Sequence, residues 1–350
     1  PSRRNQHISP QNRLRTAISK LLDEEELNRE LEADIPTRWE KHGDLILLPE
    51  FSFRCLPCQM CRCFWQLIAE SLGGTRLARK GTIQDDLYRS PRVELLLGDH
   101  GWVGHTDNGI RYTFDVTRCM FSPGNITEKL RVARMDCEGQ TVVDLYAGIG
   151  YFTLPFLVHG KAAEVHACEW NPAAVEALQK NLQINKVQDR CTVHHGDNRE
   201  VCPRGVADHV NLGLIPSSRD GWPVACAALR PTTGGVLHIH ENVTTFHKND
   251  TYDNVQNMGK GNSGSVAIQD KICQRQKAPQ TDSARSTKAT SVKEEWSHWA
   301  ERVADDIQRL LSEIQGGTWW TRVLHIEHVK SYAPHVDHLV MDLECRPLQT

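Results

Sequence analysis

Apolar positions along this chain recur with two periods, and each change of period marks a new part. From the start to about residue 34 a charged helical pattern dominates, with Asp23, Glu24, Glu25 and Glu26 on a solvated face. Asp34-Ile35-Pro36 breaks it. Leu45-Ile46-Leu47-Leu48 predicts a short buried strand. Phe64, Leu67, Ile68 and Leu72 return at helical spacing, and Gly73-Gly74 stops that helix. Val93 to Leu97 predicts another strand. Asp107-Asn108-Gly109 predicts a hairpin turn, because Asn-Gly accepts positive φ at both central positions. After it Ile110, Tyr112 and Phe114 alternate onto one face.

From about residue 121 strands and helices alternate as far as about residue 245, the pattern of a doubly wound sheet. The linker from Met120 to Lys129 leads in, with Asn125 placed to cap a helix carrying Glu128, Lys129, Arg131 and Arg134. Residues 247–289 are rich in Gln, Asn, Ser and Lys and poor in large apolar side chains, which predicts a disordered insertion. Ser291-Val292-Lys293-Glu294 reads as a capping box that restarts order. Trp296, Ala300, Val303, Ile307, Leu310 and Ile314 predict an amphipathic helix ended by Gly316-Gly317. Two strands over 322–329 and 338–343, with a turn over 330–337, close the sheet edge. The chain therefore reads as a charged helical arm (1–34), a small α/β domain (35–120) and a larger α/β domain (121–350) built on a Rossmann-like, mainly parallel sheet.

The larger domain opens with its most informative stretch. A β-branched run, Thr141-Val142-Val143, ends in Asp144 and is followed by Gly148-Ile149-Gly150 and an apolar helical start. That is the first strand and turn of a nucleotide-binding unit, with the glycines letting the backbone approach a ligand. A second strand ends at Glu169, an acid placed to accept both hydroxyls of a ribose. A third ends at Asp197-Asn198, a polar pair suited to an adenine edge. Thr153 stands where a dinucleotide site would carry its third glycine. The three strand ends together fit S-adenosylmethionine better than NAD.

Bulk properties narrow the partners. Net charge is −3 with a pI near 6.7, so a nucleic acid has to be met by a local patch. The small domain offers Arg76, Arg79, Lys80, Arg89, Arg92, Arg111 and Arg118, either as a phosphate-facing surface or as scattered solvated charge. No apolar run has the length of a membrane span, and no signal-peptide pattern opens the chain. Starting on proline, the sequence reads as a piece of a longer one. Twelve cysteines without a secretion signal predict free thiols in a reducing compartment. Cys55, Cys58, Cys61 and Cys63 are too tightly spaced for a structural zinc site and read as a cysteine-rich loop. His238 and His240 share one strand face, but no third ligand is evident. His335, Asp337 and His338 read as turn residues, so no metal is expected.

After the fourth strand, enzymes that methylate exocyclic amines carry Asn/Asp-Pro-Pro-aromatic, which is absent here. Instead the chain has Leu212-Gly213-Leu214-Ile215-Pro216-Ser217-Ser218. With the Asp144 to Pro155 segment, Glu169-Trp170-Asn171-Pro172 and Lys330-Ser331-Tyr332-Ala333-Pro334-His335, this closely resembles the tRNA wybutosine-synthesizing protein 2 family. That family is related to the tRNA guanine-N1 methyltransferases, which have a shorter Asn-Leu-Pro at residues 212–218. The resemblance runs from about Ile35 and is weakest over 55–63 and 247–289.

What the resemblance implies is transfer of the 3-amino-3-carboxypropyl group of S-adenosylmethionine to 4-demethylwyosine, the base 3′ of the anticodon in phenylalanine tRNA. Methylthioadenosine would leave. By carry-over, Glu169 would bind the ribose, Asp197 and Asn198 the adenine, and Ser122 and Lys129 the amino-acid end. Asp144, Tyr146, Gly148, Gly150 and Trp170 complete the expected cofactor set. Glu128 matches the base of the methyltransferase relatives. Pro216, Ser217, Tyr151, Arg111 and Arg118 are the candidates for holding the tRNA, whose anticodon arm the small domain would orient. Tyr146, Tyr151, Phe152 and Trp170 all lie near the ligand edge as possible stacking partners for the target base. A monomer in the cytoplasm is expected. Two other readings stand beside this one: a guanine-N1 tRNA methyltransferase, and a non-catalytic tRNA- or S-adenosylmethionine-binding module.

Overall fold

The computed structural model describes residues 9–24, 29–53, 61–83, 88, 90–120, 125–245 and 282–348, with backbone alone at 61, 83 and 282–291. The first unit contains α1 (Pro10–Glu24), β1 (Glu40–His42), β2 (Leu45–Leu48), α2 (Cys61–Ser71), β3 (Arg76–Ile83) and β4 (Pro91–Leu97). Its strands form one sheet in the order β1-β2-β3-β4. β2 and β3 are parallel and joined through α2, while the outer pairs are antiparallel. The four-residue apolar run of β2 is buried throughout because both faces are covered. Ile46 and Leu48 pack with Leu14 and Ile18 of α1 and with Phe64 and Ile68 of α2. Leu45 and Leu47 point the other way, into a cluster with Val103 and Phe114.

Those last two residues belong to a hairpin of β5 (Trp102–Asp107) and β6 (Ile110–Asp115), which forms its own two-stranded sheet. Asn108 (φ 48°) and Gly109 (φ 74°) both take positive φ, as a two-residue Asn-Gly turn requires. Ile110, Tyr112 and Phe114 are buried, as their alternation predicts.

Next come α3 (Ile126–Val132), β7 (Thr141–Asp144), α4 (Thr153–Val158), β8 (Glu164–Glu169), α5 (Pro172–Ile184), β9 (Cys191–His195), α6 (Asn198–Val201), β10 (His209–Leu212), α7 (Trp222–Ala228), β11 (Gly235–Thr244), α8 (Asp282–Gln315), β12 (Trp319–Ala333) and β13 (Val336–Pro347). The sheet runs β12-β13-β11-β10-β7-β8-β9. β11, β10, β7, β8 and β9 are parallel, and on the other side of β11 the strands β13 and β12 each run antiparallel to the neighbour they join. This is the mainly parallel, doubly wound architecture expected. Strand order reverses between β7 and β10, so the ligand crevice lies at their carboxyl ends. Val142 and Val143 face opposite sides, each into its own core. One core holds Phe156 and Leu178, and the other Trp222, Trp299 and Ile307. The hairpin packs on this unit: Thr113 N donates to Asn181 Oδ1 at 2.6 Å and Arg111 N to Asn185 Oδ1 at 3.0 Å.

Several local expectations are corrected. α8 begins at Asp282, so residues 282–289 are helical and the Ser291–Glu294 pattern lies inside the helix. No Gly or Pro interrupts 282–315, and each Ser or Thr costs only about 0.5 kcal/mol in a helix interior. The rest of the predicted insertion lies outside the described residues. Near the end of α8 the buried stripe passes through Leu311, and Ile314 is exposed. The two last strands are longer than their patterns, pairing up to Ala333 and Val336. Only Pro334 and His335 turn, with His335 at φ 65°. Asn125 precedes α3 without a side-chain cap bond, because its φ/ψ of −109°/25° lies off the extended cap conformation. Among the described residues no helix is long and apolar enough to cross a membrane.

Candidate active site

The crevice is organised by the glycine loop after β7. Gly148 (φ 55°) and Gly150 (φ 102°) take left-handed conformations, and a Cβ on Gly150 would meet Leu178 and Leu154 at 3.0–3.1 Å. Asp144 is fully buried beneath the loop. Its carboxylate accepts from Thr153 Oγ1 at 2.7 Å and from Asn211 Nδ2 at 3.0 Å, while burial pushes its pKa up. This explains Thr153 at the third-glycine position: its hydroxyl serves Asp144. The acid thus fixes the loop from below.

Glu169 is the acid that faces the crevice edge. Its Oε2 accepts from Gly148 N and its Oε1 from Asn171 N, both at 2.7 Å. Burial raises its pKa against main-chain hydrogen bonds from Asn171, Gly148 and Trp170. Asn171 caps α5 through Ala173 N, followed by Pro172 at the first helical position. A carboxylate with two acceptor oxygens side by side fits a ribose diol. Trp170, beside it, is 39% exposed and meets Tyr88 edge-on at 6.4 Å.

Asp197 caps the single-turn α6 and pairs with Arg199. Asn198 Nδ2 donates to Leu145 O at 3.0 Å, tying the third strand end to the loop. The Tyr146 ring lies against Gly221, where a Cβ would come within 2.5 Å of its hydroxyl. These residues and Glu169 form one rim, as the three strand ends predict.

Other candidates sit elsewhere or are engaged. Lys129 is buried, ion-paired with Asp107 and held over the Tyr112 ring at 5.5 Å. Glu128 is fully buried, its two oxygens each 2.8 Å from the Arg131 guanidinium, and burial raises its pKa. Tyr151 donates to Met120 O at 2.6 Å. Arg111 lashes the hairpin to Ile184 O, and Arg118 lies 3.6 Å from Glu176. Ser122, Arg89, Cys55 and Cys58 fall outside the described residues. The predicted phosphate-facing surface is largely spoken for: Arg76 is paired with Asp44, Arg79 with Glu94 and Lys80 with Glu40. On a mixed sheet those charges meet acids on neighbouring strands and loops before they meet a ligand.

Pro216 and Ser217 lie in a loop that lies along β11. Pro216 O accepts from Asn242 N at 2.7 Å, Ser217 bridges to Glu241, and Ser218 Oγ donates to His240 O at 3.2 Å. Gly213 is pressed against Phe152, which a Cβ would meet at 3.1 Å.

Sequence reasoning missed the polar layer below. Asp144, Asn211, His238 and Asp342 stand opposite one another on four consecutive strands and share one face. His238 bonds Asp342 at 2.7 Å and His209 at 3.0 Å, and Asp342 also grips Arg131. Despite the raising effect of burial, His238 and Arg131 hold Asp342 well below the usual carboxylate range. His240 Nδ1 lies 3.1 Å from His338 Nε2. Burial keeps both imidazoles neutral, with His338 lowered to about 4. His338 is therefore a buried strand residue, not the turn residue its position suggested. The alternation of His238 and His240 was the available signal, but Asp342 is 104 residues away from His238. Among the described residues no group of His, Cys, Asp and Glu could hold a metal ion.

Comparison with known proteins places this geometry. The family described as TRM5/TYW2 methyltransferase domain matches residues 103–264, and the TYW2 N-terminal domain matches residues 18–101. The tRNA wybutosine-synthesizing protein 2 homolog of Rattus norvegicus is 52% identical over 99% of this chain and 80% of its own length. That of Mus musculus is 54% identical over 91% of this chain and 72% of its own. A crystal structure of P. horikoshii TYW2 in complex with MeSAdo is 26% identical, with a TM-score of 0.62 over 95% of this chain and all of that one.

Proposed function

The chain belongs to the tRNA wybutosine-synthesizing protein 2 family, and from that premise we propose the reaction its site performs. It is a transferase that uses S-adenosylmethionine and acts in wybutosine synthesis on tRNA. S-adenosylmethionine supplies the 3-amino-3-carboxypropyl group, with methylthioadenosine as the leaving product. The acceptor is 4-demethylwyosine next to the anticodon of phenylalanine tRNA, met through the anticodon arm by a monomer in the cytoplasm.

The observation that carries the choice of group is the 212–218 loop. It lies along β11, with Pro216 O accepting from Asn242 N at 2.7 Å, in place of the shorter segment of the methyltransferase relatives. That loop forms a wall beside Phe152 and so bears on which carbon of the sulfonium faces the acceptor. Glu169 takes the ribose hydroxyls, the Asp197-Asn198 turn and Trp170 border the adenine, and Gly148 leaves room for the approach. Lys129 and Glu128 belong to the packing of α3 itself, since Asp107 and Arg131 hold them. The sulfonium leaves readily, so the residues contribute chiefly by positioning.

The test is product analysis with S-adenosylmethionine and tRNA bearing the demethylwyosine intermediate. Methylthioadenosine with a matching mass gain on the base is expected. S-adenosylhomocysteine would replace this reading with methyl transfer.

A further inference from the structure

The 330–335 segment has no part in the rim, yet it projects from the same end of the sheet. β10 ends at Leu212, which pairs with Ile239, whereas β11 continues to Thr244. Those five further residues carry β11 about 16 Å beyond the end of β10, at ~3.3 Å per residue. Thr244 pairs with Val336, so the β12–β13 turn overhangs the same sheet edge that carries Gly148 and Glu169. A run of rings connects the two places. Tyr332 lies 6.3 Å from His338, His338 5.3 Å from His240, and His240 5.1 Å from Phe152, which follows the glycine loop.

The tip carries an exposed aromatic beside a half-buried cation. Tyr332 is 46% exposed, and Lys330 Nζ sits 4.5 Å from the centre of its ring. The nearby acid is turned inward: Asp337 accepts from Ser331 Oγ at 2.6 Å and lies 3.1 Å from His328. Beneath the tip His338 Nδ1 and His240 Nε2 are buried without a partner among the described residues. A tyrosine face beside a lysine, over buried polar atoms with spare capacity, is a platform for a stacked base and its phosphate.

We propose that the β12–β13 tip is a tRNA contact, in which Tyr332 stacks an unpaired base of the anticodon loop and Lys330 meets the adjoining phosphate. It rests on the tRNA substrate proposed above.

The experiment is direct binding of a fluorescent anticodon-arm RNA to the full chain, across a salt series. Tyr332→Ala should weaken binding between about 5-fold and 100-fold, while Tyr332→Trp retains it. Lys330→Ala should lower the slope of log affinity against log salt by about one. S-adenosylmethionine affinity and the thermal midpoint should stay as in the unmutated chain, since neither side chain is buried in a core. Binding within twofold of the unmutated chain for both alanine variants would overturn the proposal, as would an unmutated chain that does not bind the arm. If the arm binds through Tyr332 and Lys330 but no methylthioadenosine forms, the contact stands and the proposed reaction falls.

Discussion

Replacing Glu169 with alanine removes one carboxylate that does two jobs. Toward the protein it accepts from Gly148 N and Asn171 N, each at 2.7 Å. Toward the ligand its two oxygens would each accept from a ribose hydroxyl. A hydrogen bond to a charged group is worth about 1.5–3 kcal/mol. Two such bonds to the ribose give about 3 kcal/mol even at the low end, or roughly 150-fold in dissociation constant. The protein side adds a smaller loss, about 1–2 kcal/mol of stability, because water can reach the two freed N–H groups at this half-open edge. Glu169→Gln separates the two jobs. Its amide has one oxygen, so it satisfies one main-chain donor and turns an N–H₂ toward the other. It should bind S-adenosylmethionine roughly 10-fold or more weakly with a similar stability loss. Calorimetric titration measures the affinity and urea unfolding the stability. If Glu169→Ala binds S-adenosylmethionine within threefold of the unmutated chain, the ribose is not at this acid.

Three further outcomes are expected. Ionised Glu169 is the form that accepts the hydroxyls, and burial raises its pKa. S-adenosylmethionine affinity should therefore fall as pH drops through that raised value, and an affinity that stays flat down to the ordinary carboxyl range would argue against it. Asp342 is held below its unfolded pKa, so its stabilisation is present above the ordinary carboxyl range and lost as pH falls through the lowered value. Asp342→Ala should cost about 3–5 kcal/mol in urea unfolding near neutral pH and flatten the acid limb of the stability curve. Asn181→Ala removes the acceptor of Thr113 N and the donor to Ile149 O. It should cost about 2–4 kcal/mol, with hydrogen exchange speeding up in both the hairpin and the glycine loop.

Elements with a strong local signal were legible. The β7 run, the Asn108-Gly109 turn, the α2 face and the Gly316-Gly317 stop all follow from short-range chemistry, and each is where the pattern put it. The placing of Glu169 and Asp197 at one end of the sheet was legible for the same reason, since they stand at strand ends whose order a doubly wound sheet dictates. Partnerships across the chain were not. Nothing near Lys129 announces Asp107, and nothing near Arg131 announces Asp342, because antiparallel register and helix docking decide both. The ion pairs of the small unit were hidden likewise: the spacing of its basic residues is visible in sequence, but the acids opposite them are not.

The polar layer under α3 gives this blindness a physical meaning. A short helix normally docks by an apolar face. Beside Val132, α3 buries Glu128 toward a sheet face carrying His209, Asn211, His238, His240, His338 and Asp342, and Lys129 against Asp107 and Tyr112 of the hairpin. Burying such groups is costly unless each is paired, and the surplus over an apolar contact is small. What the arrangement adds is geometry. Arg131 can satisfy Glu128 and Asp342 together only at one position of α3, and Asp144 can satisfy Thr153 and Asn211 only with the loop folded as it is. The segment leading into the glycine loop and the loop itself are thus fixed to the same row of strands. A reaction that depends on presenting one of three sulfonium carbons needs that kind of fixed frame more than it needs an acid or a base.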